Sequence, residues 1–144
     1  MPEQSVIDRV SSFLEAMDVL YEVDQTEGVV YSVWGIRDRS FLVLVGSEGS
    51  WLWMRTRIVK LEDVPEESRA PLFESLLRIH GAYNEVRYEI GDDGYIGASK
   101  EIPLSGLNIE NFKTGFISLI MAIRLFVDRV APEHGIPEDR LGFG

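Results

Sequence analysis

The chain has 144 residues, with 24 acidic against 14 basic side chains, a formal charge of −10 at neutral pH and 45% apolar residues. A chain of this size and composition can bury about two-thirds of the surface its unfolded form exposes, which excludes disordered and low-complexity readings. Cysteine is absent, excluding disulfides and thiolate sites, and the acidic surplus without a compensating basic cluster argues against nucleic acid as a partner.

The elements follow from periodicity. Ser5 with Asp8 marks a helix start, and Val6, Val10, Phe13, Leu14, Met17 and Leu20 then recur at spacings of three and four, predicting an amphipathic helix. A short extended lead-in is expected at 21–23. From Val29 the texture changes to β-branched and aromatic runs broken by polar or glycine-containing segments. Three antiparallel strands are predicted at Val29–Ile36, Phe41–Val45 and Trp51–Val59. Asp63, Pro65 and Glu66 signal a helical turn. Pro71 then breaks it, and a second helix runs to His80 with Ala70, Phe73, Leu76, Leu77 and His80 on one side and Gly81 at its end.

Residues 84–90 alternate, with Val86, Tyr88 and Ile90 on one face and Glu85, Arg87 and Glu89 on the other. Gly91-Asp92-Asp93-Gly94 supplies a hairpin turn into a strand at Tyr95–Ile102. Asn108 is placed to cap a last helix to about Val130, whose apolar stripe from Ile109 to Val130 is wide enough for a core helix or an interface. One domain is therefore expected over residues 1–130, with an irregular tail at 131–144 rich in Pro and Gly. The longest apolar run, Phe116–Ile123, is roughly half the ~20 residues that span a bilayer. A soluble, cytoplasmic protein with no membrane partner is expected.

The chemistry-bearing residues give little support to catalysis. His80 and His134 lack neighbours at ligand spacing, so neither reads as a metal site, and no metal or cofactor is expected. Gly91, Gly94 and Gly97 do not open a helix and so do not form a phosphate loop; Asp92 and Asp93 lack the rest of a calcium loop. Carboxylate pairs such as Glu66 with Glu67 or Glu85 with Glu89 read as charged surface, since an acid–base pair also needs a cleft. The protein is read as a non-enzyme.

The informative segment is the third strand. In an extended conformation Leu52, Met54 and Ile58 face one side of the sheet, and Trp51, Trp53, Arg55 and Arg57 face the other. Tryptophan and arginine are the types enriched at binding hot spots. The two preceding strands are apolar in both phases, so the second face needs a cover: a second copy, a partner segment, or this chain's own helices.

The order is helix, three strands, helix, two strands, helix. With Asp63-Val64-Pro65-Glu66-Glu67, the Gly91-Asp92-Asp93-Gly94 hairpin and the Ile102-Pro103-Leu104 step into a long last helix, the chain resembles the YbjN-type domains, similar in fold to type III secretion chaperones. The resemblance implies an α+β fold, an antiparallel sheet with helices mainly on one face. By the same analogy it implies a protein-interaction role, chaperone-like or regulatory, as a homodimer that binds an extended or amphipathic segment of a client. Trp51, Trp53, Arg55 and Arg57 are the proposed partner-binding residues. A small-ligand sensor with an apolar pocket between sheet and helices is the alternative reading.

Overall fold

Alternating side chains on consecutive antiparallel ribbons build most of the molecule. The computed structural model describes residues 3–144. Six strands form one antiparallel sheet in the order β1 (Glu22–Asp24), β2 (Val29–Ile36), β3 (Arg39–Glu48), β4 (Trp51–Lys60), β6 (Tyr95–Pro103) and β5 (Tyr88–Ile90). The lead-in at 21–23 is thus a true edge strand, one residue later than expected. β3 runs on through Gly46, where a break was expected, because Gly46 and Ser47 pair with Trp53 and Leu52. The reversal is confined to Gly49 and Ser50, with Gly49 at φ +59°.

The helices lie on one face. α1 (Glu3–Ala16) begins before Ser5, so Ser5 and Asp8 stand within its first turns instead of capping it. It buries Val6, Ile7, Val10 and Leu14. Asp18 takes φ +58° and Val19 N–H returns to the Leu14 carbonyl, ending the helix. Leu20 therefore leaves the apolar stripe and is 92% exposed. α3 (Ile109–Leu125) is capped as expected, with Asn108 Oδ1 accepting from Asn111 N–H at 2.8 Å. It continues through a wide π turn at Phe126–Val130 and a helical turn at Ala131–Glu133. Its inward side carries Phe112, Phe116, Leu119, Ile123 and Phe126 onto the sheet. Gly115 lies where a Cβ would stand 3.0 Å from the Lys100 side chain and 3.4 Å from Met54, so α3 sits close against β4 and β6.

α2 (Arg69–Ala82) follows a 3-10 turn at Glu66–Ser68, and Pro71 falls within its first turn, where no intrahelical donor is needed. Its buried residues are Leu72 and Leu76, whereas Leu77 is 68% exposed. The apolar side is thus turned from the expected one: packing sets Leu72 and Leu76 into the core and leaves Leu77 outward. β5 is shorter than the alternation implied: Glu85 at φ +70° breaks extension before Tyr88. Val86 and Tyr88 are buried as predicted, but Ile90 is 50% exposed at the sheet edge.

Residues 131–144 consist of short turns and are anchored. Leu141 is buried, Gly142 N–H donates to the Ile58 carbonyl at 2.8 Å, and Ser40 and Phe143 exchange backbone hydrogen bonds. The backbone donors and acceptors left at this end of β3 and β4 are satisfied by the tail, which a composition-based reading of Pro and Gly does not reveal.

Candidate functional site

β4 divides the molecule. Leu52, Met54 and Ile58 are almost fully buried beneath the helices, and Thr56 shares that side. Trp51, Trp53, Arg55 and Arg57 project from the opposite face, which no helix of the described residues covers. Trp51 is 47% exposed, Arg55 and Arg57 are exposed, and Trp53 is half-buried.

The half-burial of Trp53 has a local cause. Its direct cross-strand partner is Gly46, and a Cβ there would stand 2.4 Å from the indole Cζ2. The missing side chain is what lets the indole lie against β3. The Arg55 guanidinium sits 5.3 Å from the Trp53 ring centroid, a cation–π arrangement, and makes no ion pair among the described residues. Arg57 is held differently: its Nε reaches Asp93 Oδ2 at 2.8 Å, and its guanidinium lies 5.1 Å from the Tyr95 ring. Asp93 and Tyr95 belong to the hairpin that follows β5, so the Gly91–Gly94 turn orients a residue of the candidate face.

The rest of this face has two textures. Next to Arg55 and Trp53, the outward positions of β2 and β3 are Tyr31, Val33, Leu42 and Leu44, with Tyr31 opposite Leu44 and Val33 opposite Leu42. Val33 is 57% and Leu42 37% exposed. The β5–β6 side is polar and closed. Arg87 donates to Ser99 Oγ at 3.0 and 2.7 Å and to Glu101 at 2.9 Å, and Ser99 Oγ donates to Glu89. Sequence reasoning placed the four β4 residues correctly on one face and missed Gly46, Asp93 and Tyr95. The first was read as a break and the other two as a plain hairpin, because cross-strand register is what joins them to β4.

The histidines do other work. His80 Nε2 accepts the Tyr88 backbone N–H at 2.9 Å and its ring stacks on Tyr88, tying α2 to β5. His134, expected in solvent, hydrogen-bonds to Ser75 of α2 at 2.8 Å because the tail folds back. Glu85 pairs with Lys100 instead of acting with Glu89. Among the described residues no three His, Cys, Asp or Glu converge as metal ligands. No described helix is long and apolar enough to cross a membrane. Burial raises the Tyr88 phenol well above its usual range, and its hydroxyl donates to the Ala122 carbonyl at 2.6 Å, a structural contact beneath α3.

A sheet with helices on one side, two of them flanking β2–β4 and β6, is a shape that solved structures share. The chain has a YbjN-like, type III secretion chaperone-like fold. It superimposes on a chain of the ExsC–ExsE complex with a TM-score of 0.62 at 13% identity, over 89% of this chain and 95% of that one. Against YbjN from E. coli the TM-score is 0.59 at 12% identity, covering 90% and 92%. Against a chain of the HopA1–SchA chaperone–effector complex it is 0.59 at 13% identity, covering 85% and 92%. No family model and no curated protein matches the sequence.

On the helical side of the sheet, an open apolar groove of about 620 Å³ runs between the end of α1, the outer side of α3 and Trp34 of β2. Trp34 and Phe116 form its floor, 5.7 Å apart by ring centroids.

Proposed function

We propose that this chain is a non-enzymatic, cytoplasmic protein-interaction module, chaperone-like or regulatory, that works as a homodimer and binds an extended or amphipathic partner segment on the outer sheet face. The observation that carries the reading is the uncovered surface of β2–β4: an aromatic pair, an unneutralised Arg55 and adjacent apolar residues, all on rigid strands. A partner segment would bury Trp51 and the exposed flank of Trp53, and its carboxylates would meet Arg55. The fold-mate from the HopA1–SchA chaperone–effector complex supports a role in holding another protein. The groove beside α3 is open along its length, a surface more than the enclosed chamber a small-ligand sensor would use.

The test is affinity capture from native lysate with mass-spectrometric identification, comparing the wild-type chain with Trp51→Ser/Trp53→Ser. Both indoles lie outside the core, so the variant is expected to keep its circular dichroism spectrum. Recovery of the partner should fall at least about tenfold, the loss of one hot-spot residue or more. Equal recovery by a folded variant rejects this face.

A further inference from the structure

We propose that the gap between the ends of β3 and β4 is a docking site for an extended segment of another protein, one with an acidic residue three positions before Leu-Gly-Phe, and that this chain's own residues 138–143 hold the site in cis. The proposal is independent of the outer-face reading and can fail without it.

The sheet does not close at this end. β3 and β4 pair from Glu48–Trp51 to Val43–Thr56 and no further, although the same register would set Ser40 against Val59. β4 bulges between Arg57 and Val59, where it pairs with β6. Ser40 faces Gly35 of β2 on one side. Its N–H and carbonyl both go to Phe143, at 2.7 and 2.9 Å, and the Ile58 carbonyl accepts from Gly142 N–H at 2.8 Å. Residues 142 and 143 thus bond to both strands and stand where a strand is missing.

What fills the gap is short and chemically specific. Leu141 is 1% exposed, and its carbonyl accepts from Arg39 Nε at 2.6 Å. Gly142 takes φ +53°, and a Cβ on it would stand 2.2 Å from the Ser40 carbonyl oxygen, so no side chain fits. Glu138 reaches Arg37 at 3.8 Å. Only Leu141 goes deep, and backbone pairing supplies the rest. That is the pattern of strand addition, in which main-chain bonds hold a segment and a few pockets select it.

The outer fastenings are light. Phe143 is 48% exposed, and the ion pairs Arg37–Glu138 and Arg140–Asp63, at 3.8 and 3.5 Å, lie at the surface, where such pairs contribute little. The chain is anchored again at buried Ile136, so release need extend no further back. A segment seated in this way opens without unfolding of the core. A partner segment with the same pattern replaces it once its concentration exceeds the effective concentration of the tethered tail, on the order of millimolar.

The test uses the full chain with Gly142→Val, which ejects the tail, and a fluorescent peptide copying residues 137–144. The variant, keeping the wild-type circular dichroism spectrum, should bind the peptide at least about a hundredfold more tightly than the wild type, whose tail competes. Adding Arg39→Ala should weaken that binding about tenfold or more, and a peptide carrying Leu141→Ser should not bind. A folded Gly142→Val chain that ignores the peptide, accepts the Leu141→Ser peptide equally, is indifferent to Arg39→Ala, or binds no better than the wild type overturns the site. Should Gly142→Val not fold, hydrogen exchange of the wild type decides. The Ser40 and Phe143 amides should be protected at least about a hundredfold less than Val43, and about millimolar peptide should speed Phe143 while leaving Ser40 no faster. Equal protection, or a Phe143 amide that the peptide leaves unchanged, overturns the proposal. The chain has no cysteine of its own, so mixing Ser40→Cys and Phe143→Cys chains under mild oxidation reads out exchange of tails between copies. A disulfide joining the two would make the occupant a second copy's tail and overturn the partner assigned here.

Discussion

The two faces of β4 carry equally large side chains and treat them in opposite ways. On the inner face Leu52, Met54 and Ile58 disappear beneath Phe112, Phe116 and the rest of α3. On the outer face Trp51 stays in water, and Trp53 is steadied from below by the bare backbone at Gly46 and from its ring face by Arg55. One face is held by exclusion of water, the other by local contacts that leave its aromatic surface available. A strand can therefore contribute to the core and to a docking surface at once, because successive side chains point to opposite sides. The outer face is itself divided: at β5–β6, Arg87, Ser99, Glu89 and Glu101 satisfy one another, whereas at β2–β4 the apolar positions have only their cross-strand neighbours, and Val33 and Leu42 stay exposed.

This contrast can be broken most forcibly from inside. Phe112 is fully buried and packs on Phe13 at 5.3 Å and Phe116 at 5.7 Å, so Phe112→Ala should lower unfolding free energy by about 3–5 kcal/mol in urea titration. The two Trp→Ser changes should cost far less stability than this while abolishing capture. If the outer pair proved as costly as Phe112, the face would belong to the core.

A change at Gly46 joins stability to the outer surface. Gly46→Val puts side-chain atoms where the Trp53 indole lies, and should cost about 1–3 kcal/mol. It should also shift tryptophan emission to the red as the indole is pushed into water. Emission and stability that both stay unchanged would mean that Gly46 does not position Trp53.

The smallest effect sharpens the inner face. Tyr88→Phe removes the hydrogen bond to the Ala122 carbonyl and should cost about 1 kcal/mol. Because burial raises the phenol above its ordinary value near 10, its contribution is complete below that pH and is lost as pH climbs past it, when the unfolded chain ionises first. The wild type should therefore lose stability above about pH 10 more steeply than Tyr88→Phe; parallel alkaline curves would remove that role.

Much of this was legible in the residues. The alternation of β4 gave both its faces, Asn108 gave the α3 cap, and Gly91–Gly94 gave the β5–β6 hairpin, each from neighbours within a few positions. The misses share another character. Leu77 and Leu20 were placed on buried stripes and are exposed, the first because α2 packs through Leu72 and Leu76 and the second because Asp18 reverses the chain. His134 was assigned to solvent and meets Ser75, fifty-nine residues away in sequence. Arg57 was assigned to the sheet face but not to Asp93 and Tyr95, which reach it only through the β4–β6 pairing.

By itself the sequence determined the periodic elements, their order and the two sides of each strand, because hydrophobic alternation and turn chemistry act over short distances. Only the tertiary structure decided that every helix gathers over one side of the sheet, that the tail closes the end of β3 and β4, and that Gly46 lies beneath Trp53. Those outcomes depend on register and packing between segments far apart in the chain. The free energy that selects them belongs to pairs of surfaces and is written in no single stretch of residues.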